Sequence, residues 1–354
     1  MITPPHCISA APHDTKSDRS APIKLSIGIP TFNRNAHIGR TLRSVLAQIG
    51  PYKDVIEIIV SDNHSDNPVE GIVRSLSDEF GISVRYIYQP ENLGLEPNFQ
   101  YLIDNSSGEY IHLVGDDDLL APFFYATFMP YIMQGGYGIM ICDSLDADAD
   151  MHSLTHDGGM EFRDMLMIRP FSEHIMHVMA KGGLITNCII SRKAWEAGDG
   201  RDYSPYFLYQ TFARELFGAL KLNLPCIYSG FPLVIQRGGR QHTFIGEFFD
   251  SIVLGRLNLF YDLDKAGIPG LYQNVVTRYF GTFPYPPEFA EMGGNRAHYC
   301  KTYPQYLRHF TGHKASWLKF WLKTPCYGFM LRHQNAVKKW GCRLLHIHAI
   351  LSGK

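Results

Sequence analysis

The feature that most constrains this chain is an alternation of two kinds of apolar segment, in which each strand-like segment ends in a polar cluster. Segments 24–30, 55–61, 83–89 and 110–114 are short and rich in β-branched or aromatic residues, whereas 36–48, 69–80 and 97–105 carry apolar residues at helical spacing. Strands and helices alternating at this interval predict an α/β fold with a mostly parallel sheet and helices on both faces. In such sheets ligands bind beyond the carboxyl ends of the strands, so the residues that follow each strand are the ones to inspect.

Those residues are polar in every case. The first strand runs into Pro30, Thr31, Phe32, Asn33 and Arg34, the second into Asp62 through Asp66, the third into Glu91, Asn92, Leu93 and Gly94, and the fourth into Gly115, Asp116, Asp117 and Asp118. Adjacent aspartates repel one another unless a cation sits among them. Hard carboxylate oxygens suit Mg2+ or Mn2+, which bind one or two protein carboxylates together with substrate phosphates. The alternative is a solvated acidic turn or an N-cap for a helix over 119–128. Each of the other positions also has two readings. Arg34 suits a phosphate or a surface acid, and Asp62 a nucleotide's base or ribose or an Asx-turn with Asn63 and Ser65. Asn92 and Gly94 make a ligand loop or a plain turn, and Asn98 is a ligand contact or a helix cap.

Taken together, SIGIPTFNR (26–34), IIVSDNHSDN (58–67), ENLGLEPNF (91–99) and SGEYIHLVGDDDLLAP (107–122) resemble the family 2 glycosyltransferases in order and spacing. The resemblance is close over 23–125, weaker to about 240 and absent beyond. It implies the GT-A nucleotide-sugar-binding fold, a Rossmann-like central sheet with helices on both faces, and a bacterial surface-polysaccharide type of enzyme. By the same resemblance Pro30, Thr31, Asn33, Arg34, Asp62, Asn92, Gly94 and Asn98 line the nucleotide-sugar site, with Asp62 recognising the base. Asp116, Asp117 and Asp118 match the metal-binding DXD region, with Gly115 standing where many members have the first Asp. Asp117 is then the expected metal ligand, Asp118 a second one and Asp116 a donor contact, and the cofactor is Mn2+ or Mg2+.

Family members usually invert the anomeric centre, using a carboxylate base from a Glu-Asp pair roughly 80–110 residues after the metal motif. No such pair is present; the interval offers Asp199, Asp202 and Glu215, and Asp202 is the expected base because it precedes a helix expected over 205–220. Further on, Arg237 through His242 form a glycine-permitted loop with two guanidinia and an imidazole. Either this is a surface turn or it closes the donor site, with Arg240 on the nucleotide-sugar and His242 on the metal. Gly182 and Gly183 would let a sugar approach the backbone.

The rest of the chain organises around this unit. Residues 1–22, without an apolar period, are expected to be a poorly ordered leader, 23–245 the catalytic domain, and 246–354 a helical region. Further strands are expected over 137–142 and 184–191, with a broken strand pair over 225–236. Acidic residues stop at Glu291, so the first 300 residues hold 23 basic against 34 acidic side chains while residues 301–354 hold ten Lys and Arg and no acid. That tail interleaves its cations with Trp317, Phe320, Trp321, Tyr327, Phe329 and Trp340, a pattern suited either to an anionic membrane surface or to packing on the catalytic unit. An acidic body argues against nucleic acid. With no apolar run long enough to span a bilayer and no secretory pattern, the expected location is cytoplasmic and peripheral on the inner membrane face. The seven scattered cysteines form no CxxC pair and read as reduced thiols.

The expected activity is transfer of a sugar from a nucleoside-diphosphate sugar to a hydroxyl of a glycan or lipid-linked acceptor. Two alternatives use similar strand-end chemistry: a nucleotidyltransferase making nucleotide-sugars, and a catalytically decayed nucleotide- or carbohydrate-binding module.

Overall fold

The computed structural model describes residues 21–156, 166–173, 175, 185–238 and 254–273. Its first half follows the alternation closely: β1 (Leu25–Thr31), α1 (Ile38–Ile49), β2 (Ile56–Asp62), α2 (Glu70–Phe80), β3 (Arg85–Tyr88), α3 (Leu95–Asp104) and β4 (Tyr110–Leu113). Helix α1 shows why. Its buried residues Ile38, Thr41, Leu42, Val45, Leu46 and Ile49 recur every three or four positions and form one stripe. Strand β1 is buried throughout. Leu25, Ile27 and Ile29 of β1 join the cluster that takes in α1, α2 and the later helix α4 (Phe124–Gln134). On the other face Gly28 leaves room for α3, since a Cβ there would lie 3.3 Å from Leu102 and 2.9 Å from Leu113.

Beyond β4 the sheet becomes mixed. Its further strands are β5 (Leu119–Leu120), β6 (Ile139–Ala147), β7 (Leu154–His156), β8 (Met167–Pro170), β9 (Cys188–Ser191) and β10 (Pro225–Arg237). The order is β3-β2-β1-β4-β9-β6-β10-β5, with β7 beside β6 and β8 beside β10. Pairings among β1 to β4 are parallel, but β9 runs antiparallel to both β4 and β6. The parallel character expected of the whole sheet therefore holds for its β1–β4 half and for the β6–β10 pair. The expected strand pair over 225–236 is one strand, with register shifts from Ser229 to Val234 accommodating Gly230 and Pro232.

The second core lies under α5 (Arg192–Ala197), α6 (Gln210–Leu222) and α7 (Gly255–Gly267). The helix expected over 205–220 is divided: a 3-10 segment, Ser204–Tyr209, itself kinked at Phe207 with φ of 50°, precedes α6. Leu257, Phe260 and Leu263 of α7 share a cluster with Ala213 and Leu216 of α6, so the described residues after 253 are continuous with the core beneath α6. The 1–20 part of the leader and the basic-aromatic tail lie outside the described residues. Among the described residues no helix is long and apolar enough to cross a membrane.

Candidate functional site

Strands β1 and β4 pair only as far as Gly28 and Leu113, and beyond that their ends part. Since β2 and β3 lie to one side of β1 and β4 to the other, this gap is where chain order reverses and a crevice opens. Pro30 fits the geometry. Gly28 gives its carbonyl to Val114 N–H at 2.9 Å, and the N–H that Pro30 lacks would point the same way, where β4 has already left the ladder.

The loops after β1, β2 and β3 are tied to one another. Asn33, in the left-handed region with φ of 55°, donates its N–H to Ser65 Oγ at 2.8 Å and its Nδ2 to Asp66 at 3.0 Å, and accepts Asp66 N–H at 2.9 Å. Asn63 donates Nδ2 to Asn92 Oδ1 at 2.9 Å and accepts Leu93 N–H at 2.9 Å. Asn92 also accepts the N–H of Gly94, whose φ of 87° suits glycine. Asn98 is buried and accepts Ser61 Oγ at 2.6 Å. Asn33, Asn92, Gly94 and Asn98, all expected against a ligand, are thus engaged in shaping these strand-end loops.

Asp62 belongs to the same fabric. It is fully buried, with Oδ1 accepting Ser65 N–H at 2.9 Å and Oδ2 accepting Val69 N–H at 3.0 Å and Tyr86 Oη–H at 2.9 Å. These bonds make the Asx-type turn that was the alternative for this residue, and they fix the start of α2.

The acidic residues form a turn closed by Asp118 N–H on the Gly115 carbonyl at 3.3 Å. Leu119 and Leu120 then pair with β10, and α4 begins only at Phe124, so the aspartates do not cap a helix over 119–128. The three carboxylates face different surroundings. Asp118 is buried and accepts Thr186 Oγ1–H at 2.5 Å. Burial, above all, pushes its carboxyl up to about 7, against the opposing pull of Thr186 and the Arg237 N–H. Asp116 is likewise raised by burial to about 7, with Asp117 adding repulsion, while Arg34 favours the charged form from 3.9 Å. Thr31 Oγ1 lies near enough to favour it too, yet outside hydrogen-bond geometry: this buried hydroxyl has no partner. Asp117 is half-buried at the turn's apex.

Two flanking residues complete the cluster. Burial, then the nearby Arg237 and Arg34, lower the imidazole of His37, with Asp117 acting in the opposite sense. Arg237, at the end of β10, donates Nη1 to the Ala149 carbonyl, and its buried Nε has no partner. His37 carries no distinguishing signal in the sequence, although it lies only three residues beyond Arg34. Thr186 was also missed, as one hydroxyl inside an apolar strand pattern. Asp202, the expected base, is exposed; its Oδ1 accepts Ser204 N–H at 2.9 Å and caps the 3-10 segment, and that bond lowers its carboxyl. Arg240, His242, Gly182 and Gly183 lie outside the described residues.

The model of the glycosyl transferase family 2 matches residues 26–189, the stretch that contains all four strand-end loops. Among curated proteins, the chain is 25% identical over 276 residues to abequosyltransferase RfbV of Salmonella typhimurium, covering 72% of this chain and 80% of that one. It is 28% identical to GalNAc(5)-diNAcBac-PP-undecaprenol beta-1,3-glucosyltransferase of Campylobacter jejuni, covering 45% of this chain and 52% of that one. The chain carries a family 2 glycosyltransferase domain over residues 26–189. As such it is a nucleotide-sugar-dependent enzyme, and these relatives favour neither the nucleotidyltransferase nor the decayed binding module. Solved structures place the glycosyltransferase in the GT-A fold. S. aureus TarS in complex with UDP-GlcNAc superposes with a TM-score of 0.57 at 14% identity, covering 81% of this chain and 79% of that one. The mannosyltransferase PcManGT of Pyrobaculum calidifontis, in complex with GDP-Man and Mn2+, gives 0.51 at 15% identity, covering 92% and 88%.

Proposed function

We propose that this glycosyltransferase binds the diphosphate of its donor in the crevice between β1 and β4, with a divalent cation held by Asp117 and Asp116. One observation carries the reading: two buried polar atoms without partners, Thr31 Oγ1 and Arg237 Nε, lie beside the acidic turn. Buried polar groups are nearly always satisfied, so orphans at a cluster of charges point to a polar ligand. Arg34 and Arg237 offer guanidinium donors that suit a diphosphate.

Among the described residues no group of three or more His, Cys, Asp or Glu side chains could hold a metal ion by itself. A cation completed by substrate phosphates needs only one or two protein carboxylates, and the Asp116–Asp117 pair fits that requirement. Asp118, engaged by Thr186, shapes the turn instead of ligating. A bound Mn2+ or Mg2+ would act as a Lewis acid on the departing diphosphate. The chain's own residues hold the leaving group: Arg34 and Arg237 at its oxygens, Thr31 as a hydroxyl donor, and His37 as a neutral imidazole beside Asp117.

The acceptor we propose is a hydroxyl of a glycan or lipid-linked intermediate, attacked in line with inversion at the anomeric carbon. The Campylobacter relative is by name a glucosyltransferase acting on a PP-undecaprenol-linked glycan, which supports this class. The basic-aromatic tail would bring the enzyme to an anionic cytoplasmic membrane surface, a reading supported by composition alone.

The test is thermal stabilisation by UDP, GDP, CDP and dTDP, each with Mn2+ or Mg2+, followed by release of nucleoside diphosphate from the matching sugar nucleotides. A diphosphate at a hundred times its Kd raises stability by about 2.7 kcal/mol. Turnover that persists in full under excess chelator would remove the metal from the proposal, and no stabilisation by any diphosphate would remove the site.

A further inference from the structure

A second cavity opens on the same sheet edge as the acidic turn, between α3 and α6. It is a cleft open to solvent, and its walls include Phe99, Leu113, Ile185, Ile190 and Phe212. It adjoins the donor crevice through two of them. Leu113 ends β4 just before the acidic turn, and Ile185 precedes Thr186, the partner of Asp118.

One acid lines this apolar cleft. Glu96, in the first turn of α3, puts Oε2 2.6 Å from Thr211 Oγ1 and 3.0 Å from Thr211 N. The Gln210 N–H adds a further donor, and no charged side chain faces the carboxylate from α3, α6, β4 or β9. Burial raises the Glu96 carboxyl above the usual range despite these donors, and the other titratable group on the wall, the Cys188 thiol, is pushed well up by burial. Capping α6 would be served as well by an exposed carboxylate. A half-buried carboxylate set among apolar walls is costly, and that cost is characteristic of groups used in proton transfer.

We propose that this cleft receives the acceptor and that Glu96 is the general base for its hydroxyl. The proposal rests on the nucleotide-sugar site proposed above. The aromatic rings of Phe99 and Phe212 suit the apolar C–H face of a pyranose, and the carboxylate takes the one polar group that must lose a proton. As the acceptor oxygen forms its bond to the anomeric carbon, its proton passes to Glu96. The bond from that carbon to the phosphate oxygen breaks, and its electron pair leaves with the nucleoside diphosphate. Glu96 thereby takes the part expected of Asp202, whose carboxylate caps an exposed turn.

The experiment uses the full chain and whichever UDP- or GDP-sugar the wild type hydrolyses, with water as the acceptor. Glu96→Gln should leave affinity for the nucleoside diphosphate with Mn2+ within about twofold while lowering turnover by about a hundredfold or more. Thr211→Val, which removes one donor to the carboxylate, should move the acid limb of the turnover profile to higher pH and leave the alkaline plateau nearly unchanged. Turnover of Glu96→Gln within threefold of wild type would overturn the assignment, as would its losing diphosphate affinity in parallel. Should Glu96→Gln fail to fold, an acid limb unmoved in Thr211→Val overturns it. A wild type that neither binds diphosphate nor hydrolyses any donor overturns the donor site as well, which separates the two failures.

Discussion

Thr186 Oγ1 donates to Asp118 Oδ2 at 2.5 Å and accepts the Gly115 N–H at 2.9 Å, so one buried hydroxyl clamps both ends of the acidic turn. Thr186→Val keeps the shape and removes both bonds. An unsatisfied buried carboxylate costs about 1–3 kcal/mol, and Thr186→Val should lose that much in urea unfolding while Thr186→Ser loses little. Equal losses in the two variants would show that packing, and not the hydroxyl, holds the turn.

Asp117 and Asp118 should separate by phenotype. Asp117 is half-buried at the apex of the turn, so Asp117→Ala should abolish donor turnover and metal-dependent nucleotide binding while shifting Tm by no more than about 2 °C. Asp118→Ala strands the Thr186 hydroxyl and the Arg237 N–H, and should lower Tm by several degrees, at about 2–4 °C per kcal/mol. Differential scanning fluorimetry with and without Mn2+ and nucleoside diphosphate reads both. A Tm loss confined to Asp117→Ala would reverse their roles.

His112 gives the fold a pH dependence of known sign. Its ring stacks on Phe124 with centroids 4.6 Å apart, and its Nε2–H donates to the Thr186 carbonyl at 2.9 Å, leaving Nδ1 to accept from Tyr125 Oη at 3.1 Å. Burial holds the imidazole down at about 4 in the folded protein, against 6.5 ordinarily. The unfolded chain therefore binds more protons between those values. The stability due to neutral His112 is complete above about pH 6.5 and is lost as pH falls toward 4, up to about 3 kcal/mol. Raised carboxyls at Asp116 and Asp118 slope the other way, so the comparison must be between wild type and His112→Gln, which share them. Unfolding free energies at pH 7 and pH 5 should differ in the acid-destabilised direction by more in the wild type; parallel pH dependences would refute the assignment.

Asp62 tests whether a strand-end acid is scaffold or ligand contact. With three donors on its carboxylate, Asp62→Asn should cost on the order of 3 kcal/mol in global stability. Full stability combined with lost nucleotide affinity would instead favour the base-recognition role implied by family resemblance.

Where the sequence spoke clearly, it did so through local pattern. The elements from β1 to β4 came within two residues of their expected bounds because each is a contiguous apolar run ending in polar residues. The mixed half was harder. Whether β9 runs with or against β4 depends on pairing across the sheet, and nothing within residues 184–191 encodes direction. The proposed site residues divide in the same way. Asp116 and Asp117 were legible because adjacent acids after a strand are chemically unusual. By contrast, Asn33, Asn92 and Asn98 look the same in sequence whether they bind a ligand or a neighbouring loop, and only their partners decide. Glu96 was passed over within ENLGLEPNF because its significance depends on Thr211, more than a hundred residues away.

The stitching of Asn33 to Asp66 and of Asn63 to Asn92 has a consequence for how the donor arrives. Fixing one residue's backbone costs about 1–2 kcal/mol, and for these loops that loss is incurred when the protein folds, before any nucleotide is encountered. The proposed donor entrance is thus preorganised, and capture of the donor should be a fast, single-phase encounter limited by diffusion and charge steering. A change that loosens the asparagine lattice would then act as an entropic tax on every donor alike, weakening them together without altering which sugar is preferred.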